Sequence, residues 1–289
     1  MTLPVTIIGG YLGAGKTTLV NHLLRNADGK RLAVLVNEFG ELPIDEDLIE
    51  AQDDTMISIA GGCVCCSYGN DLTLAMMDLA KLQPRPDHVL LEASGVALPG
   101  AIAASISLLQ GFQIDGVVVL ADAETIRQQA EDTYVGDTIE RQLHDADLVV
   151  LSKADLVDEA QNKTTIGWIK ERFGEPEVVP AKHGVLPPEV LLQELTNRQP
   201  GSANVAHEHI HESEQFSSVS LQIDGPVNAN RLARGLADAD LGLVRAKGFV
   251  EDVSGEMKVI QVVGRRWDVT PAPQDATPSL IAIALREKC

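Results

Sequence analysis

Hydrophobic and polar positions follow two different patterns along the chain. Up to residue 198, short apolar runs rich in β-branched residues alternate with stretches of helical periodicity. The apolar runs are Val5–Gly9, Leu32–Val36, His88–Leu91, Gly116–Ala121 and Leu148–Leu151. The helical stretches lie near 18–26, 71–82, 98–109, 123–131 and 158–172. This alternation predicts an α/β fold, with a mostly parallel sheet sandwiched by helices. The functional loops are then expected at the carboxyl ends of the strands.

The pattern changes at residues 199–214, which are rich in Pro, Gly, Ser, Asn and His and are predicted to form a linker. Beyond the linker, alternating strand-like runs surround one helical stretch, Val227–Ala237. The runs are Phe216–Ile223, Leu243–Phe249, Met257–Val263 and Ser279–Leu285. We therefore expect a large domain over 1–198, a His-containing linker over 199–214, and a smaller α+β domain over 215–289.

Charge and cysteine content narrow the classes of function. The 289 residues include 42 acidic and 23 basic side chains, for a net charge of −19. Such a surface repels nucleic acid and anionic membrane, so we expect neither as a partner. No apolar run approaches the length of a membrane span. Three of the four cysteines lie within four residues, which suits reduced thiols in the cytoplasm better than a disulfide framework.

The stretch from Gly10 to Thr18 fits the phosphate-loop pattern, with four residues between two glycines and then Lys and Thr. An apolar run precedes it and a helical stretch follows, which is the context the pattern requires. Lys16 is predicted to reach the β- and γ-phosphates, and the Thr17 hydroxyl to bind Mg²⁺. The predicted nucleotide-binding residues of this loop are Gly10, Gly13, Ala14, Gly15, Lys16, Thr17 and Thr18.

Two further stretches complete a nucleotide site. Glu92, at the end of an apolar run, can hold Mg²⁺ through water, and the Gly95 N–H can meet the γ-phosphate. Ser152-Lys-Ala-Asp155 ends the last run. The Asp155 carboxylate can accept from N1–H and the exocyclic amine of guanine, a donor pair that adenine lacks. Lys153 is expected to pack along the base and brace the phosphate loop. Together these motifs predict a GTPase.

The cysteine stretch Gly61-Gly-Cys-Val-Cys-Cys66 is predicted to bind a transition metal. Three thiolates in a glycine-rich loop can converge on one soft or borderline ion. They leave a tetrahedral ion short of one ligand, which Glu38 or a histidine could supply. The alternative is a small buried cluster, because free cysteine packs like an apolar residue.

Two polar segments carry weaker signals. Asn37–Asp45 stands where a first switch loop is expected, so Glu38 or Asp45 could position the attacking water or a metal. A solvated acidic loop would have the same composition. His207, His209 and His211 alternate in the linker, and either bind metal or form a polar linker that uses histidine. The remaining histidines, His22, His88, His144 and His183, are predicted to be structural.

These motifs resemble the CobW-like metallochaperone branch of the P-loop GTPases over nearly the whole chain. The matching stretches are Gly9–Thr18, Asn37–Glu41 with Asp45, Gly61–Cys66, Glu92–Gly95, Ser152–Asp155, Arg245–Val250 and Gln261–Trp267. The resemblance implies GTP hydrolysis coupled to delivery of Zn²⁺ or Co²⁺ held at the cysteines. It also implies that the His segment is an auxiliary metal site and that a CobW C-terminal-like domain meets the client. Ser152 stands where Asn is usual, and Ser67–Asn70 lacks an arginine often seen there.

We therefore predict a cytoplasmic, GTP-hydrolysing metallochaperone with GTP or GDP, Mg²⁺ and Zn²⁺ (or Co²⁺) as ligands. An apo-metalloprotein client is its expected partner, and a dimer that depends on nucleotide or metal is one option for its assembly. Two alternatives stay open. One is a GTP-dependent activator of a single metalloenzyme, from a nitrile hydratase-like or cobalamin pathway. The other is a metal sensor or store with incidental GTPase activity.

Overall fold

The computed structural model describes residues 2–27, 29–37, 56–61, 70–192, 215–239, 242–273 and 276–286. The chain divides into two compact units, Met1–Leu186 and Pro187–Cys289. The predicted linker, 199–214, lies outside the described residues and its role stays a prediction. None of the helices within the described ranges combines the length and hydropathy that crossing a membrane requires.

The first unit alternates strands with helices. In chain order its elements are β1 (Leu3–Gly10), α1 (Lys16–Arg25), β2 (Leu32–Asn37), β3 (Met56–Gly61), α2 (Asn70–Lys81), β4 (His88–Glu92), α3 (Pro99–Ser107), β5 (Phe112–Asp122), α4 (Ile126–Ala130), α5 (Gly136–Asp145), β6 (Leu148–Ser152), α6 (Glu159–Phe173) and β7 (Glu177–Pro180). All five predicted strands are present. The sequence pattern did not reveal β3, β7 or α5.

The seven strands form one sheet in the order β3-β2-β4-β1-β5-β6-β7, and every pairing is parallel. All five residues of β4 are buried, as are all five of β6. Strands that are covered on both faces lose the alternation of polar and apolar residues, which is why they read as continuous apolar runs. The predicted α/β class is confirmed.

The register of the central strands aligns their carboxyl ends. Glu92, the last residue of β4, pairs with Ile8 of β1 on one side and with Val36 of β2 on the other. Asn37, one residue further along β2, pairs with Gly61, the last residue of β3. The loops that leave β1, β2, β3 and β4 therefore all begin at the same edge of the sheet.

The second unit contains α7 (Pro188–Leu192), β8 (Phe216–Leu221), α8 (Ala229–Asp238), β9 (Leu243–Glu251), β10 (Met257–Val263), β11 (Arg266–Pro271) and β12 (Ser279–Leu285). Its five-stranded sheet has the order β11-β10-β9-β12-β8, with antiparallel pairings. Ala229 and Ala233 of α8 share a buried core with one face of that sheet. The smaller α+β domain predicted from the sequence is confirmed, and β11 is an additional strand.

Candidate nucleotide site

The phosphate loop joins the end of β1 to the start of α1. Gly10 has φ 129° and Gly15 has φ 93°, in a region that L side chains rarely adopt. At Gly10 a side chain is also sterically excluded, because its Cβ would lie 2.5 Å from the carbonyl oxygen of Leu120. Gly15 occupies the N-cap of α1, where it has no side chain to accept from the first-turn N–H groups. This end of α1 is therefore suited to bind an anion.

Lys16 is the first residue of α1, and only 8% of it is exposed. Its Nζ donates to the carbonyl oxygen of Gly10 at 3.0 Å and to that of Tyr11 at 3.3 Å. The ammonium is thus held over the loop by carbonyl groups. A phosphate bound in the loop would compete with those carbonyl groups as the acceptor.

Thr17 and Glu92 bring two oxygen ligands together beside the loop. The Thr17 hydroxyl donates to Glu92 Oε1 at 2.7 Å, and Glu92 is 2% exposed at the carboxyl end of β4. A hydroxyl and a carboxylate are the hard oxygen donors that Mg²⁺ prefers. The donor set therefore suits a magnesium ion next to the phosphate loop.

The loop after β4 is pressed against the phosphate loop. A Cβ on Gly95 would lie 2.8 Å from the backbone nitrogen of Leu12, so glycine is required for this approach. Gln142 of α5, itself buried, anchors the loop by donating through Nε2 to Gly95 O at 3.0 Å and Ala97 O at 2.8 Å. Sequence reasoning missed Gln142. Its only local signal is a polar residue on the buried side of a helix.

The base-side motif follows β6. The buried Ser152 hydroxyl donates to Ala121 O at 3.2 Å, which ties the end of β6 to β5. Lys153 has φ 54°, and its Nζ lies 2.6 Å from Asp122 Oδ2 at the end of β5. Lys153 thus forms an ion pair with Asp122, and its expected brace to the phosphate loop stays a prediction.

Asp155 is held by one residue of the loop after β7. Its Oδ1 accepts from the His183 backbone N–H at 2.9 Å, and its Oδ2 lies 3.1 Å from His183 Nδ1. The pKa of Asp155 lies below its ordinary value, chiefly because the His183 N–H stabilises the carboxylate. His183, predicted to be structural, is thus in direct contact with the residue predicted to select guanine.

The loop over residues 181–186 extends from Asp155 towards the first turn of α1. The Ala154 N–H donates to Ala181 O at 3.1 Å. A Cβ on Gly184 would lie 2.7 Å from Thr18 Cγ2. His22 Nε2 lies 2.8 Å from Leu186 O. This segment, which sequence reasoning did not assign to the site, connects its two ends.

The remaining predicted site residues lie outside the described part of the chain. These are Glu38, Asp45, Cys63, Cys65, Cys66, His207, His209 and His211. Among the side chains that the structure describes, no three His, Cys, Asp or Glu residues are grouped so as to hold a metal ion. The described backbone does reach the start of two of these segments, since β2 ends at Asn37 and β3 at Gly61.

A parallel sheet with a phosphate loop after β1 and a carboxylate at the end of β4 defines a P-loop nucleotide-binding protein. Residues 4–179 match the CobW/HypB/UreG nucleotide-binding domain, and residues 216–286 match the cobalamin synthesis protein cobW C-terminal domain. The chain therefore belongs to the CobW family of P-loop GTPases, as its motifs predicted.

Named relatives cover most of the chain. It is 31% identical over 309 residues to the zinc chaperone CobW of a Sinorhizobium species, covering 92% of this chain and 86% of that protein. It is 29% identical over 297 residues to the zinc-regulated GTPase metalloprotein activator 1 of Dictyostelium discoideum, covering 86% of this chain and 62% of that protein. The protein in the crystal structure of zinc-bound YjiA GTPase from E. coli is 22% identical in sequence. The match covers 99% of this chain and 95% of that chain, with a TM-score of 0.48.

Proposed function

We propose that this protein is a cytoplasmic, GTP-hydrolysing metallochaperone that binds Zn²⁺ at its cysteine loop and releases the ion to an apo-metalloprotein. The observation that carries the proposal is the register of the parallel sheet. The strand before the cysteine loop ends at Gly61, in register with Asn37, and β2 is in turn paired with β4 near Glu92. With strands about 4.8 Å apart, the cysteine loop begins roughly 10 Å from the end of β4. A change at the phosphates can therefore reach the metal loop over a short distance.

The phosphate end supports nucleotide hydrolysis. Lys16 and the N-terminus of α1 supply positive charge to the β- and γ-phosphates. Thr17 and Glu92 would hold Mg²⁺, which when bound neutralises charge on the phosphate oxygens. Water attacks the γ-phosphorus and the bond to the β–γ bridging oxygen breaks, leaving GDP and phosphate. Glu38 and Asp45 are our candidates to position that water, and Gly95 supplies an N–H towards the γ-phosphate.

The base end supports guanine as the nucleobase. Asp155 follows the end of β6, and its carboxylate is ionised at neutral pH, since even its ordinary pKa is well below 7 and the His183 N–H lowers the pKa further. Its two oxygens match the N1–H and exocyclic amine of guanine. Lys153, fixed by its ion pair with Asp122, lies beside it and can pack against the base.

Zn²⁺ is the cargo in this proposal, with Co²⁺ as the less supported option because the relatives' names specify zinc. Cys63, Cys65 and Cys66 would supply three thiolates, and Glu38 or a linker histidine the fourth ligand. GTP would draw the loops after β2 and β3 together and tighten the metal site. Hydrolysis would relax them and release the ion.

Two measurements test the proposal. Wild-type protein should hydrolyse GTP in clear preference to ATP, and its turnover should respond to added Zn²⁺. Cys65→Ala should keep nucleotide binding and lose the Zn²⁺ response, whereas Cys289→Ala, which removes a thiol outside the loop, should respond like wild type. Equal turnover of ATP and GTP, or an unchanged Zn²⁺ response in Cys65→Ala, would contradict the proposal.

A second candidate is a GTP-dependent activator of one metalloenzyme, which the name of the Dictyostelium relative favours. An activator would form a stable complex with a single apo-enzyme and dissociate from it on hydrolysis. Size-exclusion chromatography of the protein with candidate apo-enzymes, in GDP and in a non-hydrolysable GTP analogue, separates the two functions. A chaperone that only transfers metal would give no stable complex in either nucleotide.

A further inference from the structure

His183 contacts Asp155 through two separate donors. Its backbone N–H bonds to Oδ1 at 2.9 Å, and its ring Nδ1 lies 3.1 Å from Oδ2. Each carboxylate oxygen can accept about two hydrogen bonds. His183 therefore supplies one donor to each carboxylate oxygen, in addition to the contact of the carboxylate with the Asp155 backbone N–H.

Two donors from one residue, one on each oxygen, restrict the rotation of the carboxylate about its Cβ–Cγ bond. Without them the two oxygens could rotate together, because the last torsion of aspartate is broad. A guanine base presents two donors in a fixed geometry, so both carboxylate oxygens must lie in the plane of the base at the same time. The carboxylate therefore loses its rotational freedom on folding, and this entropy is not lost again when the base binds.

We propose that His183 is a positioning residue for guanine recognition, holding the Asp155 carboxylate in the orientation that accepts both N1–H and the exocyclic amine. The inference rests on the proposed guanine specificity of Asp155. The neutral Nδ1–H tautomer and the imidazolium both donate at this nitrogen, so the contact does not require a change of protonation.

The loop that carries His183 is itself fixed. His183 has φ 55°, a left-handed conformation that His, Asn and Asp adopt more readily than other side chains. On one side the Ala181 N–H donates to Leu151 O at 2.8 Å, and on the other Gly184 packs against Thr18. The donors are therefore anchored to β6 and to α1, the helix that follows the phosphate loop.

The His183 side chain is 78% exposed in spite of its contact with Asp155. Removing the ring therefore takes little apolar area out of the core and should hardly change the free energy of unfolding. An effect on nucleotide recognition would then report the contact with Asp155.

The test compares three variants of the full-length protein in binding to GTP and to inosine triphosphate, which lacks the exocyclic amine. His183→Gly removes the ring and keeps the backbone N–H and the left-handed conformation. His183→Asn keeps that conformation and restores a side-chain donor. Glu175→Gly is the matched control, because Glu175 is exposed and has φ 59° in a loop of the same unit.

We expect His183→Gly to lower the preference for GTP over inosine triphosphate by roughly 10-fold, which is the effect of one hydrogen bond to a charged group. His183→Asn should recover most of the preference, and Glu175→Gly should match wild type. In an Asp155→Asn background the His183→Gly effect should disappear, because the histidine acts through Asp155.

Three outcomes would overturn the inference. One is a His183→Gly protein with wild-type base preference, and another is a loss of the same size in the Asp155→Asn background. The third is tighter GTP binding by His183→Gly, which would show that the ring competes with the base for Asp155. Failure of the guanine assignment itself is a distinct result, since wild-type protein would then bind ATP and GTP equally.

Discussion

The two ends of the nucleotide site are built by different means. At the phosphate end, glycines at close backbone approaches and buried side chains set the geometry, with Lys16 8% and Glu92 2% exposed. At the base end, polar side chains from separate loops hold one another: Lys153 pairs with Asp122, and Asp155 with His183. Lys153 and His183 both have positive φ without being glycine. The phosphate end is thus fixed by steric necessity, and the base end by pairing.

The largest expected effect is at the phosphate end. Lys16→Ala removes the cation held over the loop and should lower kcat for GTP by at least about 100-fold, the scale for losing one positioned donor in a transition state. The binding preference for GTP over inosine triphosphate should be unchanged, because the base end is intact. Steady-state hydrolysis with equilibrium binding of both nucleotides measures this. Lys81→Ala, which removes an exposed ion pair with Asp78, is the control. A changed base preference in Lys16→Ala would show that the two ends do not act independently.

The next effect is at the base end. Asp155→Asn exchanges an acceptor for an amide and should weaken GTP binding by about 10- to 150-fold, as expected for hydrogen bonds to a charged group. It should gain affinity for xanthosine triphosphate, whose donor and acceptor pattern complements an amide. Saturating turnover of xanthosine triphosphate should approach the wild-type rate with GTP. A variant that lost kcat as severely as Lys16→Ala would show that the two ends are not separable.

Gln142 tests whether the phosphate end depends on the hydrogen bonds that anchor the loop after β4. Gln142→Leu would leave the Gly95 and Ala97 carbonyls without their shared donor, which should lower the free energy of unfolding by about 1–3 kcal/mol. Binding of a non-hydrolysable GTP analogue should weaken more than binding of GDP, because Gly95 faces the γ-phosphate in the proposed site. Denaturant unfolding and nucleotide titration measure both. Gln161→Leu, on the exposed side of α6, should leave both quantities unchanged.

The smallest expected effect is on stability and lies in the second unit. It serves as a reference for the variants at the two ends of the nucleotide site. Asp252 accepts from the Ala229 and Ser254 N–H groups, and these bonds lower its pKa to about 2, the Ala229 bond contributing most. Because the folded pKa is below the ordinary value of 3.8, the ionised carboxylate stabilises the fold fully above that pH and progressively less as the pH falls towards 2.

Asp252→Asn should therefore lower Tm slightly at pH 7 and flatten the dependence of stability on pH below pH 4, without changing GTP turnover. Thermal unfolding across that range measures the slope. Asp238→Asn, at an exposed pair with Arg234, is the matched control. A steeper slope in Asp252→Asn would contradict the assignment of this carboxylate.

The same contrast explains what the sequence could predict. The phosphate loop, Glu92 and the strands before them are local patterns, and the five predicted strands are all present. Strand β7 has only four residues, too few to show a period, and β3 leads directly into the stretch predicted to bind metal, since it ends at Gly61.

The contacts that sequence reasoning missed are non-local. Gln142 meets Gly95 across 47 residues, and His183 meets Asp155 across 28. A polar residue on the buried side of a helix and a histidine in a loop do not identify their partners, because these contacts form only when the fold brings distant segments together. The chemistry of each motif could therefore be predicted, but not the residues that hold it in place.

We propose that nucleotide at the phosphate end controls metal affinity at the cysteine loop, while the base end only selects the nucleotide. Chelator competition for Zn²⁺, run with GDP and with a non-hydrolysable GTP analogue, tests it most directly. His207, His209 and His211 are changed to Ala in a parallel background so that the linker does not contribute. We predict that Zn²⁺ binds about 5- to 150-fold more tightly with the GTP analogue than with GDP, and that added Zn²⁺ raises the binding preference for the analogue over GDP by the same factor. Zn²⁺ affinities that agree with both nucleotides, in both backgrounds, would contradict it.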